Sequence, residues 1–223
     1  MKLSEKAREN MTKGQLLTCH VRSEPVLAAL DRTPREAFIP EIYRGSAYVD
    51  EAIPLTPDRF LMEPLVFARL LELADVRIYD KVLDIGCGFG YSAAVLGQLA
   101  DKVVAVESEP ELVEKARQLL GSVGNVEIVT AALPMGYKVK QPYETILIEG
   151  AVEHVPQALL EQLTEGGCLV TFECYQRRPG SHSGNCKALK VVRHDGGYEY
   201  IRDFDAAVAL LPGFEKPKNF QFN

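Results

Sequence analysis

The chain has 223 residues, 47% of them hydrophobic and 25% charged, the size and texture of one well-cored globular domain. A net charge of −6 and a pI near 5.4 argue against a nucleic acid or an anionic membrane surface held by bulk electrostatics. No stretch approaches the roughly 20 apolar residues that cross a bilayer, and the opening MKLSEKARENMTKG lacks the apolar run of a signal peptide.

The five cysteines, Cys19, Cys87, Cys168, Cys174 and Cys186, are odd in number and widely spread. With no export signal they read as reduced thiols of a cytoplasmic protein.

Residues 4–31 read as two helices, the second capped by Ser23 with Val26, Leu27 and Leu30 at helical spacing. TPREAF, IPEIYRG and SAYVDEAIPLTPDRF follow, rich in proline and turn residues, and predict an irregular but ordered loop. The pattern over 63–73 is helical again.

From Lys81 the texture changes. KVLDIG is a short, nearly all-apolar run ending at glycine, as a strand buried on both faces requires. A helix over 91–99, the strand KVVAVE, a helix over 110–120, and the strands NVEIVTA and YETILIEG come next. VPQALLEQL predicts a helix and GCLVTFEC a strand. Strands alternating with short helices signal a parallel sheet with helices on both faces. After the glycine- and serine-rich RRPGSHSGN, the runs ALKVVRH and YEYIRDF flank Asp195-Gly196-Gly197 and predict a hairpin at the sheet edge. The expected architecture is one α/β domain over 1–223. Residues 1–73 form its helical and loop cover, and 74–223 its core, a parallel sheet with an antiparallel edge.

The informative motif is Asp84-Ile85-Gly86-Cys87-Gly88-Phe89-Gly90-Tyr91, between a strand and a helix. Its glycines permit positive φ and let a ligand approach the backbone. The G-x-G-x-G spacing is shorter than the dinucleotide-binding pattern and makes less provision for a pyrophosphate. Asp84 would repel a phosphate there but suits an ammonium group. Glu107, followed by Ser108, ends the next strand, where a carboxylate can take both ribose hydroxyls. A cofactor with a ribose, no pyrophosphate and a cationic amino-acid end is S-adenosylmethionine.

At these residues the chain resembles the protein-L-isoaspartate O-methyltransferase family. VLDIGCGFGYSAAVLGQLA is similar to that family's glycine loop and following helix, and PREAFIPEIYRGSAYVDEAIPL to its amino-terminal segment. NVEIVTA and YETILIEGAVEHVPQALLEQLTEGGCLV are similar to its later strands and helix. The resemblance implies a Rossmann-like, seven-stranded mixed sheet and methyl transfer from S-adenosylmethionine to a carboxylate of damaged aspartyl residues. It places Asp84, Gly86, Cys87, Gly88, Gly90 and Tyr91 in the cofactor loop, and makes Glu107, with Ser108, the ribose end.

The sequence departs from the family in two places. Family members with that activity carry a T-x-S-Q-P-like motif whose serine lies beside the acceptor carboxylate. Here Met62 stands at the serine and Glu63 at the glutamine. Methionine has no hydrogen to donate, and an ionised Glu63 repels an anionic acceptor. The family's Gly-Asp-Gly near the adenine is replaced by Thr130-Ala131-Ala132-Leu133-Pro134. Arg59, just before Met62, is a candidate clamp for a substrate carboxylate.

His154, near Glu149 and Glu153 at the end of a core strand, is a candidate base for a hydroxyl or amine acceptor, as is Glu149 itself. That reading gives a small-molecule methyltransferase; a non-catalytic relative that binds the cofactor is the third. Cys174, His182, Cys186 and His194 lack the closely paired cysteines of a strong zinc site, and no metal is expected. Cys87 has no neighbouring histidine in sequence and reads as small, buried and inert.

Overall fold

The computed structural model describes residues 3–177 and 182–216. Helix α1 (Leu3–Asn10) runs on through a π-helical stretch, Met11–Leu16, before α2 (Glu24–Arg32). Ser23 caps α2, its Oγ accepting from the Val26 N–H at 3.4 Å, and Val26, Ala29 and Leu30 are buried beneath it.

Where an irregular loop was expected, the chain folds as an antiparallel hairpin of β1 (Ile53–Thr56) and β2 (Arg59–Leu61). Pro57 and Asp58 make its two-residue turn, proline supplying the φ that a turn needs. Ile53 and Leu61 pair across it and are both buried. Helix α3 (Pro64–Ala74) starts at a proline, whose missing N–H costs nothing there, and buries Phe67, Leu70, Leu71 and Ala74 along one face.

The core sheet contains β3 (Lys81–Ile85), β4 (Lys102–Glu107), β5 (Val126–Thr130), β6 (Tyr143–Val152), β7 (Leu163–Arg177), β8 (Ser183–His194) and β9 (Gly197–Ala209). Their spatial order is β5-β4-β3-β6-β7-β8-β9, parallel from β5 to β7 and antiparallel from β7 to β9. Alternate residues face opposite layers. Val82 and Leu147 join the core beneath α1–α3, whereas Leu83, Ile85, Ile146 and Ile148 join the core on the other face. Burial on both faces is why these strands read as continuous apolar runs.

Helices α4 (Tyr91–Leu96), α5 (Pro110–Leu120) and α6 (Gln157–Leu160) connect the parallel strands. Two are shorter than expected. Gly97 ends α4 early, and α6 stops before Gln162. The Gln162 side chain is buried and accepts from the Tyr137 N–H while donating to the Met135 and Ala158 carbonyls. Those bonds tie the chain down just before β7 begins at Leu163. The β8–β9 turn is Asp195-Gly196, both at positive φ, with Gly197 already paired to His194 in β9. Part of the glycine- and serine-rich connection before β8, residues 178–181, lies outside the described residues.

After β9 the chain turns back over the carboxyl ends of the strands. Leu210 bridges Ala151 in parallel, the Leu211 N–H donates to the Ala151 carbonyl at 2.9 Å, and Phe214 is fully buried.

Candidate cofactor and acceptor site

Strand order reverses between β3 and β6, and ligands of open α/β sheets bind in the crevice at such a switch point. The glycine loop leaves β3 there. Gly86, Gly88 and Gly90 have φ of +83°, +57° and +93°. Position 88 favours glycine through its backbone conformation, and a Cβ there would sit 2.6 Å from the flexible end of Leu55, Cδ1, which would have to move.

Asp84 is fully buried at the end of β3. Ser92 Oγ donates to its Oδ2 at 2.7 Å, and Oδ1 has no partner among the described residues. Burial pushes this carboxyl up to about 7, with the Ser92 hydrogen bond opposing the shift, Glu107 adding to it and Arg59 opposing it. A desolvated carboxyl with a free oxygen is a place for a cationic group.

Glu107 is fully buried at the end of β4. The backbone N–H groups of Ser108 and Glu109 donate to its Oε1 at 2.7 and 3.2 Å, and that of Gly88 to its Oε2 at 3.0 Å. Arg59, 3% exposed, adds a two-pronged ion pair, Nη1 to Oε1 at 2.6 Å and Nη2 to Oε2 at 2.7 Å. Arg59 Nη2 also donates to the Gly86 carbonyl at 2.8 Å. The hairpin β1–β2 thus lays a cation across the glycine loop onto the acid that the sequence assigns to a ribose.

Tyr91 faces the cover, its ring 5.8 Å from Phe38, 5.6 Å from Phe67, and under the Arg35 guanidinium at 5.1 Å. Cys87 is buried and its thiol is held well above the usual range by that burial, so it carries no thiolate near neutral pH.

Beside the loop is a cavity of about 20 Å³ whose walls include Arg59, Met62, Glu63, Glu149, Gly150 and Leu211. The structure therefore brings together the three residues singled out before α3 and joins them to Glu149. His154 does not line this cavity; it is half-buried, with Nδ1 unpartnered among the described residues. Cys174 and Cys186 pair across β7 and β8, and no group of three or more metal-ligating side chains is placed to hold a metal among the described residues.

Two neighbours of the cavity were not singled out from sequence. Arg35, fully buried, donates from Nε to the Ala47 carbonyl at 2.9 Å and from Nη2 to the Met62 carbonyl. Its only signal was its place, beside Glu36, in TPREAFIP. Leu211 packs on the loop, where a Cβ on Gly86 would lie 3.0 Å from its Cδ2. No motif marks it.

Comparison with known proteins bears on family and fold. The family model described as protein-L-isoaspartate(D-aspartate) O-methyltransferase matches residues 7–176. A protein-L-isoaspartate O-methyltransferase of Methanoculleus marisnigri is 36% identical over 200 residues, covering 87% of this chain and 86% of its own. One from Pelobacter propionicus is 35% identical over 210 residues, covering 93% and 90%. Among solved structures, a protein-L-isoaspartate O-methyltransferase superposes with a TM-score of 0.75 at 23% identity, covering 95% of this chain and 66% of that one. A Plasmodium falciparum structure described as a beta-aspartate methyltransferase in complex with S-adenosyl-L-homocysteine also gives a TM-score of 0.75, at 16% identity, covering 95% and 99%. By a family model spanning most of its length and by relatives above a third identical, the chain belongs to the protein-L-isoaspartate(D-aspartate) O-methyltransferase family.

Proposed function

We propose that this protein transfers the methyl group of S-adenosylmethionine to the carboxylate of an isoaspartyl residue in a damaged protein. The observation that carries the reading is Glu107, buried at the end of β4 and held by three backbone N–H groups beside the glycine loop.

The residues present fit the cofactor in kind. Asp84, with its unpartnered buried Oδ1, suits the ammonium end, the positive-φ glycines allow close approach, and Glu107 suits the ribose. When bound, S-adenosylmethionine supplies a methyl group activated on a sulfonium. The chain's own part is to position the acceptor and exclude water. Leu211, Met62 and the hairpin close over the crevice, and a carboxylate acceptor needs no general base, so catalysis rests on orientation and desolvation.

A second reading, a small-molecule acceptor deprotonated by Glu149, draws on this buried acidic residue lining the cavity. His154 lies off that wall and adds no support. The acidic charge favours a protein acceptor over a nucleic acid. Among the described residues no helix is long and apolar enough to cross a membrane, and five free thiols support a cytoplasmic setting. We read the chain as one domain in which 1–73 covers the core of 74–223.

Incubation with methyl-labelled S-adenosylmethionine and an isoaspartyl peptide tests the function. Label that leaves the peptide as methanol in mild alkali identifies a methyl ester. Alkali-stable label, on any acceptor, favours the second reading.

A further inference from the structure

Strand β6 does not run evenly beside β7. Leu147 pairs with Val170 and Ala151 with Phe172, so three residues of β6 lie opposite one of β7. The bulge is Ile148-Glu149-Gly150. Bulges beside active sites redirect a side chain, and this one is fixed from two sides. Thr171 Oγ1 donates to the Gly150 carbonyl at 3.0 Å, and a Cβ on Gly150 would meet Leu211 Cβ at 3.0 Å. The bulge places Glu149 in the wall of the cavity it shares with Met62. Glu149 is 8% exposed, and its Oε1 has no partner among the described residues.

A buried carboxyl with an unpartnered oxygen is costly unless a ligand completes it. Across the same small cavity stands a methionine where the family has a hydroxyl donor, so the acceptor carboxylate lacks a hydrogen bond that Glu149 is placed to make. Resting on the isoaspartyl reading above, we infer that the Glu149 carboxyl itself donates to the acceptor carboxylate and replaces the missing serine. The bond goes to the oxygen that is not methylated, leaving the other free as the nucleophile. Glu149 keeps its proton throughout, since the transferred group is a methyl cation equivalent and the ester product is neutral.

The surroundings favour the protonated form. Burial holds Glu149 well above the usual carboxylate range, Asp84 of β3 adds to this, and Arg35 and Arg59 of the cover oppose it. Asp58 and Glu63 of the cover, Cys87 of the glycine loop and Tyr91 of α4 are the other titratable groups around it among the described residues. Among the described residues, β9 and the C-terminal segment bring Val208, Ala209, Leu210 and Leu211 to the cavity. The sign follows: a donor raised in this way is present below its shifted pKa and lost above it. A general base would behave in the opposite sense.

The test is kcat/KM for an isoaspartyl peptide at saturating S-adenosylmethionine, from about pH 6 to about pH 9, for the wild type, Glu149→Gln and Glu149→Ala. The wild-type value should fall as pH rises. Glu149→Gln, whose amide donates but does not titrate, should stay within about threefold and lose that fall. Glu149→Ala should lose about 10- to 100-fold, the loss of one hydrogen bond to a charged group. A thermal shift with S-adenosylhomocysteine shows that each variant folds; should Glu149→Ala fail to, the Gln variant and the two pH profiles decide alone. Equal activity in all three overturns the donor role, and so does a wild-type value that rises with pH while Gln is as impaired as Ala. A wild type that leaves the peptide unmethylated overturns the isoaspartyl reading and this inference with it.

Discussion

Arg59 closes both its terminal nitrogens on Glu107, at 2.6 and 2.7 Å, in a pair that is almost completely buried. The carboxylate proposed for the cofactor's ribose is therefore already engaged by a residue of the cover. On that proposal, ribose hydroxyls and Arg59 compete for the same two oxygens, so cofactor binding is linked to release of the Arg59 side chain.

Arg59→Ala separates the two partners. It leaves Glu107 buried without its cation, and breaking such a pair costs about 3–5 kcal/mol. Chemical denaturation of the ligand-free variant should show a loss of that order, while calorimetry shows tighter binding of S-adenosylhomocysteine. Weaker binding in the variant would mean that Arg59 holds the cofactor rather than excludes it.

Ligand linkage gives the second prediction. S-adenosylhomocysteine at about 100 times its Kd stabilises the protein by roughly 2.7 kcal/mol, visible as a raised Tm. Glu107→Ala should abolish the shift, each protein being compared with its own ligand-free melt. A full shift in Glu107→Ala would remove Glu107 from the cofactor site.

The third concerns pH. Burial raises Asp84 from its ordinary 3.8 to about 7 in the ligand-free protein. A carboxyl raised on folding favours the folded state at low pH. Its contribution shrinks as pH climbs from about 4 to about 7. Pairing with the cofactor's ammonium needs the ionised form, so binding below pH 7 releases a proton. The Kd for S-adenosylmethionine should fall by about tenfold per pH unit up to about 7 and then level off. Asp84→Asn should bind weakly with no such slope; a slope that survives the substitution assigns it to another group.

How far these relations can be read in advance depends on their range in sequence. β3, β4 and α5 were legible because burial on two faces and helical spacing are local patterns, and Asp195-Gly196 is a local turn. The β1–β2 hairpin was not. Its strands are three and four residues long and one contains Pro54, too little for a period to register. Arg59 and Glu107 are 48 positions apart, and nothing beside Arg59 announces its partner. Glu149 was visible as a carboxyl at a strand end, but the β6 bulge depends on registry with β7, and YETILIEG reads as an even strand.

The fourth prediction uses the departure at Met62. Met62→Ser with Glu63→Gln adds a hydroxyl to the cavity and removes an acid, the latter raised by burial but only partly enclosed. The double variant should raise kcat/KM for isoaspartyl peptide by about tenfold. Combined with Glu149→Ala, it should recover most of what that substitution loses, because one donor then stands in for the other. Additive, independent effects would place the two positions on different parts of the acceptor.

The most direct measurement is a competition in one tube. An isoaspartyl peptide and its normal aspartyl twin share a limiting pool of methyl-labelled S-adenosylmethionine, and alkali-labile label is counted on each. The account predicts ester label on the isoaspartyl peptide in excess of about 100-fold over its twin, equivalent to about 2.7 kcal/mol of discrimination in the transition state. Equal labelling of the two peptides, or none on either by a protein that still binds S-adenosylhomocysteine, would contradict it.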